Sequence, residues 1–67
     1  MKHYYFGNIP DKKGSYIVHS EYCDHLPRFK TYIGYFSDCH EAIVKAKTQH
    51  PFKKFDGCSW CYENFHN

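Results

Sequence analysis

Thr31-Tyr32-Ile33-Gly34-Tyr35-Phe36-Ser37-Asp38-Cys39-His40-Glu41-Ala42 changes its periodicity part-way along, and that change decides the fold class. Residues 31–36 are aromatic and β-branched, which suits a strand. Gly34 inside that run marks a bulge or a close approach by another backbone. Ser37 and Asp38 are both helix-capping residue types, and Asp38 with Glu41 has the spacing of a capping box. Beyond them Cys39, Ala42, Ile43, Ala46 and His50 recur on one helical face, while Glu41 and Lys45 form an exposed i,i+4 pair. Pro51 disfavours helical geometry at His50, so the helix is expected to end there after about three turns. A helix this short holds only when packed against something else.

Upstream, residues 1–9 are rich in β-formers, and Pro10-Asp11-Lys12-Lys13-Gly14 is a turn composition. Residues 15–19 (Ser-Tyr-Ile-Val-His) read as the returning strand of a β-hairpin. Residues 21–30 lack periodicity and contain Pro27, so they are expected to form a loop with Leu26 and Phe29 tucked inward. Downstream, residues 52–56 read as a polar-aromatic linker, Gly57 lets the backbone turn, and residues 62–67 read as a tail. The expected architecture is α+β, a small three-stranded antiparallel sheet with one helix and a C-terminal Cys-x-x-Cys knuckle. Residues 1–67 make one domain.

A chain of 67 residues buries only about 60% of the surface its unfolded form exposes, so its core alone is marginal. Small domains of this kind are commonly stapled by disulfides or a metal. Seven Tyr, six Phe and one Trp outweigh four Ile, two Val and one Leu, which concentrates burial in a few large rings. The net charge of +2 is too small to argue for nucleic acid by itself. The first residues contain no apolar signal-peptide core, and no apolar run approaches the ~20 residues of a membrane helix. The expected location is cytoplasmic, where thiols stay reduced and closely spaced cysteines are more often metal ligands than disulfides.

Cys58-Ser59-Trp60-Cys61 is the strongest chemical signal, because two thiolates two residues apart grip one ion from a tight turn. A redox role for the pair needs a thioredoxin-like βαβ context, which this chain does not show. Cys23 is the expected third ligand, since it stands outside any periodic apolar pattern. Three residues compete for the fourth position. His19 lies four residues before Cys23 at a strand end, Cys39 offers the softer thiolate, and His66 follows Cys61 in knuckle fashion. Against Cys39 stands its place on the apolar helix face, which suits a buried structural thiol. His3, His25, His40 and His50 have no ligand spacing. Zn²⁺ in a structural site is the expected cofactor, with no catalytic residue.

Tyr16-Ile17-Val18-His19-Ser20-Glu21-Tyr22-Cys23-Asp24-His25-Leu26-Pro27, then Ile33-Gly34-Tyr35-Phe36-Ser37-Asp38-Cys39-His40-Glu41-Ala42, then Gly57-Cys58-Ser59-Trp60-Cys61 resemble a set of short uncharacterised bacterial proteins. The order of ligand pair, strand, helix and Cys-x-x-Cys also resembles, more distantly, the Ada-type metal-binding domain. That domain occurs in a DNA-alkylation repair protein and, with a His-x3-Cys first pair, beside some nucleases. The resemblance implies zinc held by His19, Cys23, Cys58 and Cys61, and so favours His19 over Cys39. It does not carry over alkyl transfer. The methyl-accepting thiolate of the repair protein is the first ligand of the first pair, and here that position is His19.

Three functions are weighed on these residues. A zinc-stabilised module contacting nucleic acid or a protein partner accounts for the cysteines, the aromatics and the basic residues Lys12, Lys13, Arg28, Lys30, Lys53 and Lys54. Those lysines also suit an ordinary solvated surface. The alternative is a metal-free structural or interaction protein. An enzyme is not expected, because neither a Ser/His/Asp set nor a phosphate-cradling glycine loop is visible, and Cys39 and His40, adjacent on a helix, point different ways.

Overall fold

A computed structural model of the chain describes residues 1–58. Within them run β1 (Lys2–Gly7), β2 (Ser15–Ser20), β3 (Lys30–Phe36), α1 (Cys39–Gln49) and β4 (Lys54–Gly57). The strands form one sheet in the order β3-β1-β2-β4. β1 is antiparallel to β2 and to β3, whereas β2 and β4 are parallel. The sheet is therefore four-stranded and mixed, which corrects the expectation of three antiparallel strands.

The correction lies in residues 52–56, expected to be a linker. Lys54, Phe55, Asp56 and Gly57 instead pair with Ser15, Tyr16, Ile17 and Val18. Phe55 is the reason the edge strand holds, since its ring is buried against Phe6 at a centroid distance of 5.0 Å. A parallel partner cannot be reached by a tight turn, and α1 supplies the crossover, carrying the chain from the β3 edge to the β4 edge across one face. β3-α1-β4 is thus a βαβ connection that the sequence was not expected to contain, with Cys58 after its last strand and not at the helix N-terminus.

That face holds the core: Tyr4 and Phe6 of β1, Val18 of β2, Ile33 of β3 and Phe55 of β4 against Cys39, Ala42 and Ala46 of α1. Small residues on the helix let it sit close to the aromatic sheet surface. The helix opens as expected, with the Asp38 side chain accepting the Glu41 N–H at 2.9 Å. The Glu41 carboxylate reaches back to the N–H and hydroxyl of Ser37. The hydroxyl bond, followed by the backbone bond, holds the Glu41 pKa below its ordinary value. His50 caps the other end, its N–H bonded to the Ala46 carbonyl and its ring edge-on to Phe6.

β3 carries the irregularity that Gly34 marks. Tyr4 pairs with Gly34 but Tyr5 pairs with Tyr32, so Ile33 is the extra residue of a bulge. The bulge lets Ile33 enter the core while Tyr32 and Tyr35, on either side of it, both pair with residues of the open face, Tyr5 and His3. Phe36 lies over Gly34, where a Cβ would stand 2.8 Å from its ring.

In the loop at residues 8–14, Asp11 Oδ1 accepts the N–H groups of Lys13 and Ser15, both at 2.9 Å. Gly14 takes φ = 83°, a left-handed conformation that glycine adopts without steric cost. Residues 21–29 carry the chain from β2 back to the start of β3, with Pro27 against Gly7. Leu26 there is half-buried, but Phe29 is exposed, contrary to expectation. Its carbonyl, not its ring, is engaged, accepting the Asn8 N–H at 3.1 Å. Among the described residues no helix is long and apolar enough to cross a membrane.

Candidate metal centre

The parallel pairing of β2 with β4 builds the site. Their register advances from Ser15 opposite Lys54 to Val18 opposite Gly57. One residue further, the Cys58 N–H bonds to the Val18 carbonyl at 3.0 Å. Cys58 therefore leaves β4 beside His19, the next residue of β2. Strand alternation turns His19 away from the face that Val18 gives to the core. Beyond β2 the chain turns at once, with the Cys23 N–H on the Ser20 carbonyl and the Leu26 N–H on the Cys23 carbonyl, both at 3.1 Å. The first turn folds Cys23 back over the strand end.

The result brings three expected ligands together. One donor atom each from His19, Cys23 and Cys58 lie within 4.8 Å of one another. Cys23 Sγ is 3.6 Å from His19 Nδ1 and 3.8 Å from Cys58 Sγ. Sulfur at about 2.3 Å and imidazole nitrogen at about 2.0–2.1 Å from a tetrahedral ion would stand about 3.8 Å (S to S) and about 3.6 Å (S to N) apart. The group can hold a metal ion.

Burial and charge favour that use. His19 and Cys58 are 7% and 6% exposed, and Cys23 is half-buried. Burial lowers the His19 pKa, and the nearby His25 lowers it further. The ring is accordingly neutral at pH 7, with a lone pair to give. Two thiolates this close, one buried and one half-buried, would repel each other, and a divalent cation between them removes that cost.

Cys39 is placed differently. It is 1% exposed within the core cluster and is not part of the three-residue group. Burial first, then the charges of Cys58, Asp38 and Cys23, push its thiol pKa up to about 11. It is a protonated core thiol. Cys61 and His66, the remaining expected or competing ligands, lie outside the described residues. No family model, curated protein or solved structure matches this chain.

His19, Cys23 and Cys58 stand out in the sequence as candidate donors, but β4, the element that brings them together, does not. Phe55 was the available signal for β4: a large apolar ring two residues before Gly57, in a stretch otherwise polar.

Proposed function

We propose that the chain is a small binding module built on a structural zinc ion held by His19, Cys23, Cys58 and Cys61. The observation that carries the reading is the pair of donor separations, 3.6 and 3.8 Å, which match the edges of a zinc-centred S/N tetrahedron. The donor set supports zinc over harder cations, since thiolate and imidazole are poor ligands for magnesium or calcium. Cys61, the second cysteine of the Cys-x-x-Cys motif, is the fourth ligand and the third thiolate, giving the ligand order of the Ada-type domain that the chain resembles.

Four protein ligands leave no position for a catalytic water, so the role is architectural. Apparent binding free energies of structural zinc are about 10–16 kcal/mol at neutral pH, as large as the whole stability of a typical domain. An ion here would pin the end of the hairpin to the end of the crossover. The function of such a module is to present a surface to a partner, nucleic acid or protein.

A metal-free reading has one observation in its favour. The same two contacts satisfy S–H···N and S–H···S hydrogen bonds between the three side chains. Elemental analysis of protein purified without tag or chelator separates the two. About one equivalent of zinc, lost in Cys58→Ala and in Cys61→Ala, supports the proposal. Metal-free protein whose amide spectrum is unchanged by excess chelator overturns it.

A further inference from the structure

The end of the β2–β4 pair opposite the metal centre carries a second constellation. Lys13 and Gly14 come from the first loop, Tyr16 from β2, Phe52 and Lys53 from the turn after α1, and Lys54 opens β4. Together they line an open concavity of ≈ 410 Å³. Residues almost forty positions apart in sequence are brought to one surface by the same parallel pairing that assembles the ligands, with Ser15 opposite Lys54.

None of the described residues lining the concavity is acidic. Asp11, the carboxylate of the adjoining loop, is engaged by the backbone N–H groups of Lys13 and Ser15. Asp56 lies further along β4, and Lys12, next to Lys13 in the chain, is exposed. Lys53 Nζ sits 4.6 Å over the Tyr16 ring, a contact that holds its charge at the surface. Phe52 is fully exposed at 101% and lines the same concavity as Lys13, Lys53 and Lys54.

We propose that this concavity binds single-stranded nucleic acid, with Lys13, Lys53 and Lys54 on backbone phosphates and Phe52 stacked on an unpaired base. The lysines alone would take any polyanion. The exposed Phe52 ring in the same concavity selects one with a flat, accessible π-face beside each phosphate, which a duplex does not offer. The proposal deepens the binding-module reading, but it rests on the folded chain and not on the identity of the ion.

The test is fluorescence anisotropy of a labelled oligothymidylate of about twelve nucleotides with the full chain, its zinc content verified for every variant. Three phosphate contacts predict a slope of log K against log salt of about −2, from about −0.7 per contact on a single strand. Replacing Lys53 and Lys54 together by Gln is expected to reduce that slope to about −0.7. Phe52→Ala is expected to weaken binding about tenfold and leave the slope unchanged. Tyr35→Ala, at the far edge of the sheet, is expected to leave binding as it was. No binding at about 25 mM salt overturns the proposal. So does equal affinity for Phe52→Ala, a preference for duplex or for polyglutamate, or a loss of binding in Tyr35→Ala. Zinc retained in a non-binding chain would overturn this proposal and leave the metal reading standing.

Discussion

Cys23 Sγ and Cys58 Sγ stand 3.8 Å apart although 35 residues separate them in the chain. That separation is too long for a disulfide, whose sulfurs are about 2.05 Å apart, and it suits two ligands of one ion. The contact closes β3, α1 and β4 into a loop fastened at the strand ends. Cys23→Ser and Cys58→Ser are therefore each expected to lose the metal and most of the cooperative unfolding transition. Thermal denaturation followed by amide circular dichroism checks this. A variant that keeps the native midpoint would show that the sulfurs hold nothing.

Acid should unfold the protein through the same residues. The His19 pKa is lowered from 6.5 by burial and by His25, so the unfolded chain binds a proton there more readily than the folded one. Stability from the neutral ring is present above pH 6.5 and is lost as pH falls below it. Metal release adds to the loss, because thiolates and imidazole must take up protons to let the ion go. The thermal midpoint is expected to fall below pH 6.5 together with zinc release, measured by a colorimetric indicator. A midpoint unchanged down to about pH 5 would contradict this assignment.

Cys39 should behave as core and not as ligand. With its thiol pushed up to about 11 and its side chain 1% exposed, it is expected to resist alkylation at pH 8 under native conditions. Its folded pKa lies above the unfolded value of 9.0, so its contribution is complete below pH 9 and lost as pH rises through 11. Cys39→Ala is expected to cost about 1–2 kcal/mol in urea denaturation, with zinc content unchanged. Loss of the ion in this variant would place Cys39 among the ligands.

Gly34 is expected to resist substitution for a packing reason. A Cβ there would stand 2.8 Å from two atoms of the Phe36 ring, and moving that ring disturbs its contact with Tyr4, at a centroid distance of 6.4 Å. Overpacking costs about 1–3 kcal/mol. Reduced unfolded-state entropy returns only about 0.4–1 kcal/mol. Gly34→Ala should therefore be destabilising by about 1 kcal/mol in urea denaturation, and a neutral result would mean that Phe36 swings clear at no cost.

The sequence by itself determined whatever short-range chemistry controls. Asp38 and Glu41 announce the helix start, Pro51 its end, Asp11 and Gly14 the first turn, and Gly34 the bulge, because each acts within a few residues of where it stands. The candidate donors were legible too, since His19 and Cys23 are spaced to reach one point across a single turn. Only the tertiary structure decided that residues 54–57 are a strand. Lys54, Asp56 and Gly57 have no strand preference of their own, and their pairing depends on an edge of β2 nearly forty residues upstream and on the Phe55 ring entering the core. That parallel register also decided the two surfaces. It sets Cys58 beside His19 at one end and Lys54 beside Lys13 at the other, and it leaves Cys39 among the core side chains of the helix. Long-range pairing of this kind leaves no periodic trace in four residues, which is why the candidate donors could be read from the sequence and their assembly could not.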